Sequence, residues 1–335
     1  MKIDAIFRTG DLAGTIADVE RLERLAVDGL FCAETAHDPF LNAMLGVEHS
    51  TRAEVGTAIA VAFARNPMTV AMAAHDLQRY SNGRFILGLG SQIKPHIEKR
   101  FSMPWSHPAP RMHEFIAALR AIWRSWNDGE RLSFRGDYYQ HTLMTPFFAP
   151  PPSERGAPKV FLAAVGEHMS RVAGQIADGL FVHGFSTEPY LREVTWPAVD
   201  RGLVERDRPR DAFEMTGLVF VVTGDDEQSI ANADRLCRKQ IAFYGSTPSY
   251  LPVLEHHGWG AVQRELNVLS KRGEWDAMGE LITDEMLDAF AVRCAPDDVG
   301  RTISARYDGL LARCQTYMPY EVPDALHEQV VASFH

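Results

Sequence analysis

Short apolar runs alternate with longer amphipathic stretches along most of this chain. Ile3–Phe7, Leu30–Ala33, Glu54–Val61, Phe85–Leu89, Lys159–Ala163, Leu180–His183, Thr216–Val222 and Leu311–Tyr317 read as strands. Thr15–Ala26, His113–Trp126 and Glu167–Ala177 carry the apolar spacing of helices that bury one face. Three helix-to-strand junctions share one wording: Leu25–Cys32, Gln175–Val182 and Ala305–Ala312 each set Asp-Gly before an apolar run. The glycines, Gly29, Gly179 and Gly309, are expected to end each helix in the left-handed conformation. Apolar runs without alternation suit strands buried on both faces, as in a parallel sheet. Eight such units predict an α/β fold closed into one (β/α)8 TIM barrel.

The open doubly wound sheet is the competing architecture, and its G-x-G-x-x-G mark is missing after the first strand. Gly88-Leu-Gly90 begins such a pattern, but position 93 is Ile and the strand it ends is a late one. Two stretches break the rhythm. Pro146 to Pro158 reads as a stiff connection, and about 236–299 reads as a helical insertion before the last strand. The whole chain, 1–335, is expected to form a single domain.

Composition narrows the function classes. A net charge of −10 without a long basic stripe argues against nucleic acid or an anionic membrane as partner. A small-molecule substrate remains. Cys32, Cys237, Cys294 and Cys314 lie far apart, so free buried thiols in a reducing cytoplasm are expected. An acid at Asp4 opposes a signal peptide, and the longest apolar run, Val55 to Ala64, is too short to span a bilayer.

H-E-x-x-H, G-x-S-x-G, Walker A and EF-hand patterns are absent. Glu34, His37, Asp38 and His183 stand where a metal-dependent barrel hydrolase would place ligands, and that reading stays open. Residues just past barrel strands face the active site. Here they include Glu34 to Asp38, Ala58 to Val61, Gly90 to Gln92, Ala164 to Glu167, and His183 to Phe185. Small residues and glycine dominate, which suits a broad flat cofactor approached by backbone amides. Gly166 opening a helix would aim N–H groups at a phosphate, although Ala163–Gly166 also reads as close strand–helix packing.

These residues resemble the luciferase-like monooxygenase superfamily, and within it the coenzyme F420-dependent oxidoreductases. The resemblance is carried by Gly56–Pro67, Ser81–Gly90, Lys159–Gly166 and Ala177–Gly179, in that order along the chain. It is also carried by the Glu34–Phe40 stretch and by Gly90-Ser91-Gln92.

The resemblance implies a non-proline cis peptide at Ala58–Ile59, forming a bulge behind a deazaflavin ring. It implies that Gly90, Ser91 and Gln92 meet the cofactor side chain. Ala164, Val165, Gly166 and Glu167 would offer amides to its phosphate. His37 and Asp38 occupy the places of an Asp-His pair in relatives, in reversed chemical order, with Asp38 beside the cofactor. His37 is the implied proton donor or acceptor, with Glu34 orienting it or hydrogen-bonding the ring; a plain loop residue is the competing reading of His37, and His183 is the second candidate for the proton role. The implied activity is hydride transfer between F420 and a small organic substrate, in a homodimer and without a metal. FMN-dependent monooxygenation on the same barrel, and a barrel that binds cofactor without turnover, are the alternatives.

Overall fold

The computed structural model describes all 335 residues. Eight parallel strands form the barrel: β1 (Lys2–Ile6), β2 (Gly29–Cys32), β3 (Glu54–Thr57) and β4 (Phe85–Gly90). They continue as β5 (Lys159–Ala164), β6 (Gly179–Val182), β7 (Glu214–Val222) and β8 (Arg313–Tyr317). The sheet order is β7-β8-β1-β2-β3-β4-β5-β6, and β6 also pairs β7, which closes the (β/α)8 barrel. Two short strands attach to this ring: Ala60–Val61 pairs β4, and Ala291–Arg293 pairs β7. The expected strand Glu54–Val61 is therefore two pieces, parted at Ala58–Ile59.

β2 and β4 are buried at every position, which explains why their sequence shows no alternation. No helix is long and apolar enough to cross a membrane.

The chain packs as two compact units. One comprises 4–181 with 198–214, the other 1–3, 182–197 and 215–335. In the first unit the helices α1 (Leu12–Arg24), α2 (Pro39–Glu48), α3 (Pro67–Tyr80), α4 (Pro108–Asn127) and α5 (Glu167–Ile176) alternate with the strands. Each of the first three begins at a side-chain cap, Asp11, Asp38 and Asn66 in turn. Phe31, Ile86 and Phe161 form a buried cluster, with Phe181 set against both phenyl rings at centroid distances of 5.4 Å. Across the sheet, Phe31 lies opposite Gly56 and Gly88 opposite Phe161. Glycine is required at Gly88, where a Cβ would sit 1.8 Å from the Thr57 carbonyl oxygen.

The three Asp-Gly junctions do not share one geometry. Only Gly309 is left-handed, with φ of 68°. At the first junction Ala26 makes the left-handed turn, at φ 64°, and Gly29 already belongs to β2. At the second, Gly179 opens β6, and a Cβ there would come 2.4 Å from the Glu214 carbonyl oxygen and 2.7 Å from the Phe161 ring. Its glycine serves close approach rather than helix termination. The preceding Asp178 carboxylate accepts Val160 N–H at 2.9 Å and pairs with Arg120 and Arg208.

In the second unit a long helix, Glu227–Gly245, follows β7 after the short connection 223–226. Short helices at Leu251–His256, Gly260–Arg272, Trp275–Glu280 and Asp284–Phe290 come next. The added helical segment thus lies inside the expected 236–299 and is narrower, because Cys237, Ile241 and Ala242 belong to the buried face of the long helix. Phe185, Phe220, Leu254, Leu266 and Phe290 form its core, with Phe185 and Phe290 stacked at 4.5 Å. Cys32, Cys237 and Cys314 are buried free thiols, whereas Cys294 is half-buried.

Candidate active site

In the first unit the site is built where β2 and β3 end. β3 stops at Thr57, and the peptide bond between Ala58 and Ile59 is cis. Ala58 N–H donates to the Cys32 carbonyl at 2.7 Å, and Glu34 N–H donates to the Ile59 carbonyl at 3.2 Å. The Thr57 hydroxyl bridges to β4, donating to the Gly88 carbonyl at 2.7 Å and accepting Gly88 N–H at 3.0 Å. Gly90 leaves room for the Ile59 side chain, which a Cβ would meet at 2.8 Å.

One side chain gathers the acidic residues of this region. Arg65 donates from Nη1 to Glu34 Oε2 at 2.6 Å and from Nη2 to Asp38 Oδ2 at 2.8 Å. Glu34, whose side chain is only 5 % exposed, also accepts Val61 N–H at 2.7 Å. Asp38 caps α2 by accepting Phe40 N–H at 2.8 Å. Burial draws the Arg65 pKa down, but hydrogen bonds and charge from Glu34 and Asp38 outweigh it and hold the pKa above the ordinary value. Arg100 donates to the Thr35 carbonyl and so ties down the same loop.

Glu34 and Asp38 are therefore brought together, and His37 is not joined to either. His37 is exposed and has no hydrogen-bond or ion-pair partner. The expected orientation of His37 by Glu34 is not present, because the Glu34 carboxylate is taken up by Arg65 and Val61.

Past β4, Ser91 donates to the Gln92 carbonyl, and Gln92 takes a left-handed φ of 59° with its side-chain oxygen on Ile93 N–H. Past β5, Ala164 is buried, Val165 half-buried, and Gly166 and Glu167 exposed. Gly166 is the N-cap of α5 and supplies no side-chain cap, with nothing within 4 Å of where a Cβ would stand. The first-turn N–H groups of α5 are left for an external acceptor. Glu167 is the acid nearest to them, and it pairs with Arg201 at 3.1 Å.

In the second unit His183 follows β6 and lies among aromatic rings. It stacks on Tyr250 at 4.7 Å and meets Tyr244 edge-on at 4.7 Å. Phe185 N–H donates to His183 Nδ1 at 3.0 Å. Burial pushes the His183 pKa down to about 4. Trp196 donates to the Leu310 carbonyl, and Trp259 stacks on His257. Arg65 is legible in hindsight from the Arg-Asn-Pro run that opens α3. Tyr244 and Tyr250 carry no such signal: Tyr244 lies on the long helix after β7, and Tyr250 lies in the turn that follows it.

The luciferase-like monooxygenase family model matches residues 5–313. An uncharacterized protein of Mycobacterium tuberculosis is 56% identical over 292 residues, covering 87% of this chain and 86% of its own. An F420-dependent glucose-6-phosphate dehydrogenase of Intrasporangium calvum is 30% identical over 208 residues, 58% of this chain and 60% of its own. Among solved structures, the coenzyme F420-dependent tetrahydromethanopterin reductase of Methanopyrus kandleri superimposes with a TM-score of 0.80 at 16% identity. That match covers 99% of this chain and 97% of the other.

Two measurements probe the local chemistry. Arg65→Leu strands the buried Glu34 carboxylate and is expected to cost about 3–5 kcal/mol of stability. In urea unfolding the double variant with Glu34→Leu should recover part of that loss, and simple additivity would refute the pairing. The second concerns pH. The folded His183 pKa lies below the ordinary 6.5, so the unfolded chain binds a proton first as pH falls. Its contribution is complete above pH 6.5 and declines towards pH 4, by up to roughly 3 kcal/mol. His183→Phe should flatten that segment of the stability–pH profile relative to the parent.

Proposed function

Because the chain belongs to the luciferase-like monooxygenase family, we propose that it is a coenzyme F420-dependent oxidoreductase that transfers a hydride to or from a small organic substrate. The observation that carries this reading is the open N-terminus of α5, an uncapped, exposed set of amides opening at Gly166. It suits the phosphate of such a cofactor, and the sequence similarity to an F420-dependent dehydrogenase supports the same choice.

When bound, the deazaflavin supplies two-electron hydride chemistry, and the protein supplies position and proton traffic. Ala164, Val165, Gly166 and Glu167 would hold the phosphate through backbone amides, and the Arg201 partner of Glu167 would moderate the nearby negative charge. Gly90, Ser91 and Gln92 follow the cofactor side chain. Ala58 and Ile59 would lie behind the ring, held in place by hydrogen bonds to Cys32 and Glu34 and by the Thr57–Gly88 bridge. Asp38 and Glu34 stay on Arg65 and fix the loop, while the exposed imidazole of His37 takes or gives the substrate proton. The same reading sets the reaction in a reducing cytosol, in keeping with the free thiols.

The partner is a second copy of this chain. Leu41, 61% exposed, lies with exposed Met44, Met72 and Tyr80 on the outer faces of α2 and α3. Asp76 and Arg79 border this apolar groove with opposite charges, an arrangement that pairs with itself under a two-fold axis.

Titration of the purified protein with F420 and FMN, followed by cofactor fluorescence at equal concentrations, tests the cofactor. Selective micromolar binding of F420 is expected. Selective FMN binding would transfer the protein to the flavin monooxygenases, and binding of neither would remove both readings. Light scattering at micromolar concentration should give a dimer mass, and Leu41→Lys with Met72→Lys should halve it. A monomer in the parent protein would remove the assembly.

A further inference from the structure

Arg111, on α4, is a charge without a counter-charge. It is only 6% exposed, yet it has no ion-pair partner, whereas Arg65 holds two carboxylates. Its guanidinium donates from Nη1 to the Pro104 carbonyl at 2.7 Å and from Nε to the Tyr139 hydroxyl at 2.9 Å. Nη2 donates to nothing in the protein. It is also not sealed off, unlike His75 Nδ1 and His141 Nε2, which are buried without partners. A cation this far from water is expected to meet an anion.

The surroundings add positive potential and no free acid to cancel it. The bond to Pro104 draws the side chain back to the N-terminal end of α4. The first turn there has no acidic residue, and the N-cap, His107, gives no side-chain bond. The one acid of α4, Glu114, is already spent. Its carboxylate accepts the N–H groups of Asp137, Tyr138 and Tyr139 at 2.8, 2.7 and 2.5 Å. Those bonds fix the turn of the hairpin that pairs Phe134 with His141, and with it Tyr139 beside the guanidinium. The phenol accepts Arg111 Nε–H, which leaves its own proton without an acceptor. Burial holds the Tyr139 pKa above its ordinary value, so that proton stays in place at neutral pH. The guanidinium itself is steadied over the Phe63 ring, 4.5 Å from its centroid.

We propose that Arg111 and Tyr139 form a carboxylate-binding site that takes a small organic acid. Nε and Nη2 share one edge of the planar guanidinium, so the phenol bound at Nε stands beside Nη2. Both Nη2–H and the phenol O–H are donors in want of an acceptor, and a carboxylate offers only acceptors. Its two oxygens match the two donors, and its single charge matches the one guanidinium. Water would satisfy the donors but leave the charge unpaired. A phosphate dianion would bring one charge too many. Every group in the site lies within residues 4–181, inside one compact unit. The site therefore stands independently of the oxidoreductase reading.

The test is isothermal titration of the full-length protein with benzoate, in a buffer free of other carboxylates and with chloride held constant. Saturable millimolar binding is expected. Benzamide, which keeps the outline and loses the charge, should bind at least about tenfold more weakly. Arg111→Met should abolish benzoate binding. Tyr139→Phe removes only the hydroxyl, and its ring still covers Nε, so benzoate affinity should fall about tenfold. That second variant decides the matter if the first does not fold. A strut that only held the hairpin turn would behave differently: both variants would melt lower, and benzoate would not bind the parent. No binding, equal binding of benzoate and benzamide, or unchanged benzoate affinity in Tyr139→Phe overturns the site. Repeating the titration with saturating F420 identifies the source of the carboxylate. Unchanged benzoate binding assigns the site to a separate acid, and displacement assigns it to an acidic group of the cofactor. Failure of F420 to bind sinks the cofactor reading and leaves the benzoate result standing.

Discussion

The guanidinium of Arg65 organises the region on which the cofactor assignment depends. Its two nitrogens satisfy Glu34, at the end of β2, and Asp38, at the cap of α2, while Nη1 also reaches the Val61 carbonyl at 3.2 Å. Removing a charged group from water is costly, and that cost is met here only because each acceptor is close and well placed. The consequence is rigidity. Glu34 is bound simultaneously to a side chain and to Val61 N–H, so the loop and the bulge beyond β3 are one hydrogen-bonded object. His37 stands outside that object, which leaves its ring free to meet a ligand.

The two units solve different problems. The unit containing β2 to β5 uses glycine against phenylalanine to pack strands that are buried on both faces. The unit containing β7 and β8 gains further helices, and Tyr244 on its long helix with Tyr250 just beyond it enclose His183 and remove its tendency to charge.

Strands were legible because a parallel barrel demands uninterrupted apolar runs, and Phe85–Gly90 and Lys159–Ala164 agree with the reading to within a residue. Helix starts were less so. α1 begins at Leu12 rather than Thr15 because the Asp11 side chain caps Gly14 N–H, a choice made by local hydrogen bonding rather than by periodicity. The Asp-Gly junctions misled for a related reason: identical words were fitted into different surroundings, and only Gly309 needed the left-handed turn. The candidate site was legible as a set of strand-end residues. What could not be read was which of them bond to one another. Glu34 meets Arg65 across 31 positions, and nothing in the spacing distinguishes a carboxylate that orients His37 from one that anchors a distant arginine.

The contact between Gly88 and Thr57 carries a mechanical consequence. Where most neighbouring strands are cushioned by side chains that can rotate, here a carbonyl oxygen faces a bare Cα, and the Thr57 hydroxyl bridges the same residue in both directions. Nothing compressible lies between them. A push on one strand end is therefore delivered undamped to the other, so the bulge after β3 and the glycine-rich end of β4 form a stiff lever rather than two independent loops.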